Sequence, residues 1–136
     1  MGQVLEGVRV LELAQGVAGP YCGKIFADFG AEVVKVELPG VGDVSRSFGP
    51  FPDGATDPEQ SAAFLHLNTN KRSITADLST PDDADLVRRL AARSDIVIES
   101  YSPGKLDAWG LGFDALRAAQ PKIVLTSVTP FGQSGP

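Results

Sequence analysis

The run Asn70-Lys71-Arg72-Ser73 sets two cations beside two hydrogen-bonding side chains just ahead of a β-rich segment. That combination can grip a phosphate ester, or can serve as a solvated turn. Three further stretches each follow a β-rich run and can meet an anion through their backbone: AQGVAGP (14–20), LPGVGD (38–43) and SYSPGK (100–105). In AQGVAGP a helix start with free N–H groups suits a phosphate or carboxylate. A tight turn that needs small residues accounts for the same pattern. Gly16 and Gly19 do not make the GxGxxG dinucleotide fingerprint, and Glu37 alone is a weak stand-in for the acidic residue that accompanies it.

Candidate nucleophiles and bases are few. Cys22 lies two residues after Pro20, at a helix start where a thiol can be acidified. It has no nearby histidine as base, so a structural role is expected. His66, in FLHLN, has apolar neighbours and no second histidine or clear carboxylate partner; it reads as a core-edge residue rather than a catalytic one. Trp109, in KLDAWGLGF, reads as the apolar anchor of a short helix closed by Gly110. No CxxC, HExxH, P-loop or GxSxG pattern occurs, which removes the common metal, nucleoside-triphosphate and serine-hydrolase routes.

These residues need a scaffold, and the hydrophobic pattern supplies one. VRVLEL (8–13), EVVKVEL (32–38), DIVIES (95–100) and KIVLTSV (122–128) are short β-rich runs separated by helical patterns, as in parallel βαβ units. The first helix is expected from Gly19-Pro20 to near Gly30, with Ile25, Phe26 and Phe29 as its apolar stripe. The second has Thr80 as cap, Pro81 as first residue, Asp82 and Asp83 at its positive end, and Leu86, Val87, Leu90 and Ala91 at helical spacing. Residues 39–60 are too rich in Gly, Pro and Asp for regular structure, and a loop of that length is a candidate gate. Residues 61–78 should give one or two helical turns, a turn at Asn68 to Lys71 and a short strand. In open parallel sheets ligands bind at the carboxyl ends of the strands, where the glycine-bearing stretches fall.

Composition bounds the rest. A chain of 136 residues with 43% hydrophobic and 21% charged residues is an ordinary globular domain in size and make-up. Its formal charge of −5 and the lack of a Lys/Arg block argue against nucleic acid as a partner. No segment reaches the roughly 18 apolar residues of a membrane span, and no signal peptide precedes the first strand, so no membrane association is expected. A single cysteine, Cys22, fits a reducing cytoplasm. The chain closes on FGQSGP (131–136), a glycine-proline turn of the kind that reverses a chain into another element, and so reads as an interruption.

Taken together, LEGVRVLELAQGVAGPYCGKIFADFGAEVVKVELPGVGDVSR (5–46), NKRSITADL (70–78), DIVIESYSPGKLDAWGLGFDAL (95–116) and VLTSVTPFGQSGP (124–136) resemble the amino-terminal part of the class III CoA transferases. This is the CaiB/BaiF-type family, which includes formyl-CoA transferase, carnitine CoA transferases and the α-methylacyl-CoA racemases. The resemblance implies an α/β fold: a Rossmann-like open parallel sheet with flanking helices, the amino-terminal part of an interlocked-dimer fold. Residues 1–136 would form a CoA-binding domain that is incomplete without a carboxyl-terminal part.

The resemblance also implies CoA or acyl-CoA as substrate, with a carboxylic acid as acceptor and no metal. It places CoA contacts at Val17 and Ala18, at Leu38, at Ala76, Asp77, Leu78 and Ser79, at Ser100, Tyr101 and Ser102, and at Ala108. Here the chain departs from the family. Many relatives carry Arg where this chain has Leu38 and Ala108, and their N-[FY]-R-P-G reads S-Y-S-P-G, with Ser100 and Ser102 replacing Asn and Arg. Lys71, Arg72 and Lys105 are the candidate compensating cations. The family's catalytic aspartate, or the His and Asp of its racemases, falls beyond this chain, so no catalytic residue is expected within it. Three readings remain open: part of a CoA transferase, part of a racemase, or a non-catalytic CoA-binding or assembly subunit. Each calls for a homodimer or a partner chain that supplies the missing part.

Overall fold

The computed structural model describes residues 2–54 and 56–134. Five parallel strands, β1 (Arg9–Leu13), β2 (Glu32–Glu37), β3 (Arg72–Thr75), β4 (Ile96–Glu99) and β5 (Val124–Ser127), form one sheet in the order β3-β2-β1-β4-β5. Five helices connect them: α1 (Ala18–Asp28), α2 (Ala62–Asn68), α3 (Pro81–Ala91), α4 (Lys105–Ala108) and α5 (Phe113–Ala119). The sheet grows from β1 through β2 to β3, then restarts on the other side of β1 with β4. This reversal puts helices on both faces and opens a crevice where the loops after β1 and β4 part.

The β-rich runs become strands because their apolar residues serve both faces. Leu11 and Leu13 of β1 join Val36 and Val97 in a core sealed by Ala84, Val87 and Ala91 of α3 and Leu116 of α5. Val10 and Ala14 face the other way, with Val33 and Ile98, under α1. Thr80 and Pro81 start α3 as expected, although the Thr80 hydroxyl donates to Asp77 O instead of capping the helix. The loop after β2 is not wholly irregular, since it contains short 3-10 turns at Val44–Ser47 and Pro52–Gly54. β3 and β5 are the sheet edges, and Val124 on β5 is 54% exposed.

Of the expected apolar stripe of α1, Phe26 packs against the core, but Ile25 and Phe29 are exposed, and Gly19, Pro20, Gly23 and Ala27 are the buried residues. The reason lies beneath the helix, in a group of four buried charges. Lys35 Nζ contacts Glu12 Oε1 at 2.9 Å and Asp43 Oδ2 at 2.6 Å, and donates to Ala14 O at 2.9 Å. Lys71 Nζ contacts Glu12 Oε2 at 2.7 Å and donates to Pro20 O at 2.7 Å and Asn68 Oδ1 at 2.9 Å. Glu12 Oε2 and Asp43 Oδ2 have no well-angled hydrogen bond and are held by these lysine contacts alone. Two acids and two bases leave the group neutral, the condition under which charges tolerate burial. A Cβ on Gly23 would fall onto the Glu12 carboxylate, and one on Gly19 would overlap the Ala14 side chain. Bulky residues are therefore excluded from this face.

A second ionic group closes the loop after β2. Glu37 accepts from Arg46 Nε at 2.7 Å and Nη2 at 3.0 Å, from Ser73 Oγ at 2.6 Å and from the Asp43 N–H at 2.9 Å. Burial pushes the Glu37 carboxyl up, but these donors and the Arg46 charge outweigh it and bring the group down to about 2. Asp43 is likewise depressed, burial being outweighed by the Lys35 charge and by the Ser45 hydrogen bonds.

Two outcomes are expected. Gly19→Ala should cost about 1–3 kcal/mol through overpacking against Ala14, measured by urea unfolding. A folded-state carboxyl below its usual 4.5 stabilises above that value and loses its contribution as pH falls toward about 2. The wild type should therefore lose at most about 3 kcal/mol more than Glu37→Gln between pH 6 and pH 2.5. Parallel acid slopes for the two proteins would contradict the role given to Glu37.

Candidate functional site

The carboxyl ends of β1, β2, β3 and β4 surround a cavity of about 330 Å³. Gln15 contributes from the first loop, Leu38 from the second, Ala76 to Ser79 from the turn after β3, and Tyr101 with Trp109 from the segment after β4. The turn is self-contained: Asp77 Oδ1 accepts from the N–H and hydroxyl of Ser79, at 3.0 and 2.6 Å, and Asp83 Oδ2 accepts from the Asp77 N–H. Tyr101 and Trp109 meet edge to face, with centroids 5.0 Å apart at 85°, a favourable aromatic geometry that gives the cavity a stiff wall. Burial raises the Tyr101 hydroxyl above its usual value, against a lowering hydrogen bond with Gln15. Tyr101 is therefore a neutral donor at physiological pH.

Two neighbouring spaces continue the site. Ala108 lies with Leu78, Ser79 and Trp109 around one of about 340 Å³. Ser100, Tyr101 and Ser102 line another, of about 810 Å³, with residues 129–134. The Ser100 hydroxyl accepts the Gln15 N–H at 2.9 Å, which clips the β1 and β4 loops together. Val17 and Ala18 are exposed at the start of α1, where no side chain caps the helix and no acid occupies its first turn. The N–H groups of Ala18 and Gly19 have no partner among the described residues, and the helix dipole makes that end attractive to an anion.

Lys71 and Arg72, expected beside the ligand, are elsewhere. The Lys71 side chain is 2% exposed, and its three contacts match its three ammonium protons. Burial lowers its pKa, opposed by Glu12. Arg72 opens β3 at the amino end of the sheet and pairs with Glu32 at 2.8 Å. Lys71 lies in the turn before β3 and is drawn under α1 by Glu12, Pro20 O and Asn68, while Arg72 is held at the sheet surface by Glu32, so the run does not bring both cations to one phosphate. Lys105 remains, exposed, with Nζ 5.0 Å from the Trp109 ring centroid and no ion pair among the described residues. Glu37 ends β2 with both oxygens engaged and is not available to a ribose.

Neither the thiol nor the imidazole is set up for chemistry. Burial, then the Glu12 charge, raises the Cys22 thiol above its usual value, as a structural residue requires. His66 is exposed on α2 rather than at the core edge, because Phe64 and Leu67 take the buried positions of that short helix. Trp109 does cap a short helix closed by Gly110, at φ 67°, but it also walls the cavity. Its role as wall, like that of Gln15, was not legible from the sequence. The signal for Gln15 was its place in the first glycine-bearing stretch. Among the described residues no group of three or more His, Cys, Asp or Glu side chains could hold a metal, and no helix is long and apolar enough to cross a membrane. Of the FGQSGP turn, Gly135 and Pro136 lie outside the described residues.

Comparison with known proteins meets this geometry. The model of CoA-transferase family III matches residues 5–136. Succinate–glutarate CoA-transferase of Agrobacterium fabrum is 48% identical over 134 residues, covering 97% of this chain and 34% of its own length. Succinyl-CoA–D-citramalate CoA-transferase of Chloroflexus aurantiacus is 46% identical over 132 residues, covering 97% of this chain and 32% of its own. The crystal structure of a CAIB/BAIF family protein from Brucella suis superimposes with a TM-score of 0.89 at 42% identity, covering all of this chain and 36% of that one. The chain thus spans about a third of the length of the relatives it matches. A putative β-ketoacyl-ACP reductase, at 22% identity and a TM-score of 0.51, shares the fold alone. With a family model that runs from Leu5 to the final residue and a sheet that superimposes on a solved member, this chain belongs to CoA-transferase family III.

Proposed function

We propose that residues 1–136 are the CoA-binding domain of an enzyme that moves CoA between an acyl-CoA and a carboxylic acid. The observation that carries this reading is the cavity at the strand ends, which gathers Leu38, Ala76, Asp77, Leu78, Ser79 and Tyr101 from three separate segments, positions at which the family resemblance puts CoA. In this reading the Tyr101–Trp109 wall and Leu78 take a flat or apolar part of the ligand, and the bare start of α1 at Val17 and Ala18 faces a phosphate. Lys105, over the Trp109 ring and without an ion pair among the described residues, supplies a positive charge beside this wall, and Ser100 and Ser102 offer hydroxyls in the adjoining space. The reacting carboxylate, which attacks the thioester and carries the acyl group as an anhydride, comes from polypeptide beyond this domain. The relatives named above are CoA-transferases, which favours transfer over exchange of an α-proton.

A partner chain is part of the proposal. The chain is 41% and 38% identical to the proteins named as the beta and alpha subunits of succinyl-CoA–L-malate CoA-transferase of Chloroflexus aurantiacus. The exposed Val124 on edge strand β5 fits a sheet that continues or is covered in an assembly, as a homodimer or with a second polypeptide. A single cysteine is consistent with a reducing, cytoplasmic setting.

Calorimetric titration of CoA into this chain, alone and with a polypeptide supplying the carboxyl-terminal part, tests the reading. Tyr101→Ala should weaken binding about tenfold, the equivalent of ~1.4 kcal/mol. Lys105→Ala should weaken it several-fold and flatten its salt dependence, and Arg72→Ala should change neither. Absence of saturable heat at millimolar CoA in both mixtures would remove the proposal.

A further inference from the structure

Each buried carboxylate in the two ionic groups has a cation against it: Glu12 has Lys35 and Lys71, Asp43 has Lys35, and Glu37 has Arg46. Glu99 does not. It ends β4 at 3% exposure, and its Oε2 accepts the Tyr101 N–H at 2.7 Å. Its Oε1 has no hydrogen-bond partner, and no lysine, arginine or histidine forms an ion pair with it, among the described residues. Oε1 is not sealed off: it keeps a small opening on the cavity side, which leaves the carboxylate thinly hydrated and open to a counter-charge from outside.

Glu99 lies in the wall of a cavity of about 290 Å³, distinct from the one bounded by Leu38 and Ala76 to Ser79 and sharing Ser102 and Gln133 with the adjoining space of about 810 Å³. Asp107 adds a second carboxylate, while Ser102, Ser127 and Gln133 add oxygen acceptors; no cation is among the lining residues. The nearby cations are turned elsewhere, Lys105 onto the Trp109 ring and Arg117 onto the Phe113 ring, 5.9 Å from its centroid. The chain itself spans about a third of the length of its relatives.

We infer that the Glu99 cavity is the seat of an arginine or lysine side chain carried by the polypeptide that corresponds to the remaining length of the relatives, so that Glu99 is its docking point on this domain. The complementarity is specific. Two carboxylates with surrounding hydroxyl and amide oxygens offer acceptors in several directions, as a guanidinium fork or an ammonium requires. The inference rests on the reading of this chain as one part of a larger protein, and is independent of whether that protein binds CoA.

Glu99→Gln tests it, because the amide oxygen still accepts the Tyr101 N–H while the charge is gone. In the isolated chain at pH 7 the variant should melt higher, by roughly 3–8 °C. Millimolar methylguanidinium, as the probe, should raise the Tm of the wild type and leave Glu99→Gln unmoved. An unchanged or lower Tm for Glu99→Gln overturns the inference, as does an equal response of both proteins to methylguanidinium. If Arg117→Ala alone cancels the difference between wild type and Glu99→Gln, the counter-charge is internal and the inference also fails. Since CoA takes no part in these measurements, a failure of CoA binding is read separately.

Discussion

Neutrality of the buried group formed by Glu12, Lys35, Asp43 and Lys71 is the constraint on which the carboxyl end of the sheet depends. These residues come from β1, β2, the loop after β2 and the turn before β3. Removing any one strands an opposite charge where water does not reach, and breaking such a pair costs far more than the pair contributes. The group also reaches backbone: Lys35 holds Ala14 O, Lys71 holds Pro20 O, and Asp43 Oδ1 accepts the Gly16 N–H at 3.0 Å. The loop after β1 and the first turn of α1 are therefore located by side chains that face away from the proposed ligand.

The small residues of α1 follow from that group. Four charged side chains under a helix leave room for glycine and alanine but not for leucine. Gly19, Gly23 and Ala27 recur every four residues along the buried line, so the helix settles close to the sheet. Close approach brings the bare N–H groups of Ala18 and Gly19 to the crevice beside Ser100. Packing and ligand geometry here have a single cause.

The fold was legible because its signals are local and redundant. Four of the five strands were marked by β-rich runs, β3 only as a short strand after the turn at Asn68 to Lys71, and α3 by Thr80, Pro81 and two aspartates. Part of the cavity wall, Leu38 and the 76–79 turn, falls at positions that the family resemblance named, whereas Gln15 and Trp109 do not. Charge was the weak point. A lysine reads as exposed by default, so Lys71 was assigned to a phosphate when it is an interior counter-charge. Glu12 and Lys35 sit in apolar runs whose alternation gives no hint that they meet across two strands. His66 and the stripe of α1 were misjudged for a related reason: apolar neighbours in sequence do not tell which face of a helix a sheet will claim when the sheet presents charge instead of hydrocarbon.

Trp109 is the only tryptophan in the chain, and it stands half-buried between two of the spaces described, with Tyr101 edge-on at 5.0 Å and Lys105 above its ring. Its indole therefore reports on one place in the molecule and no other. Selective excitation of the indole senses the polarity of the cavity mouth, where Tyr101 stands edge-on to it. The aromatic wall makes the protein its own optical probe, one that needs no label.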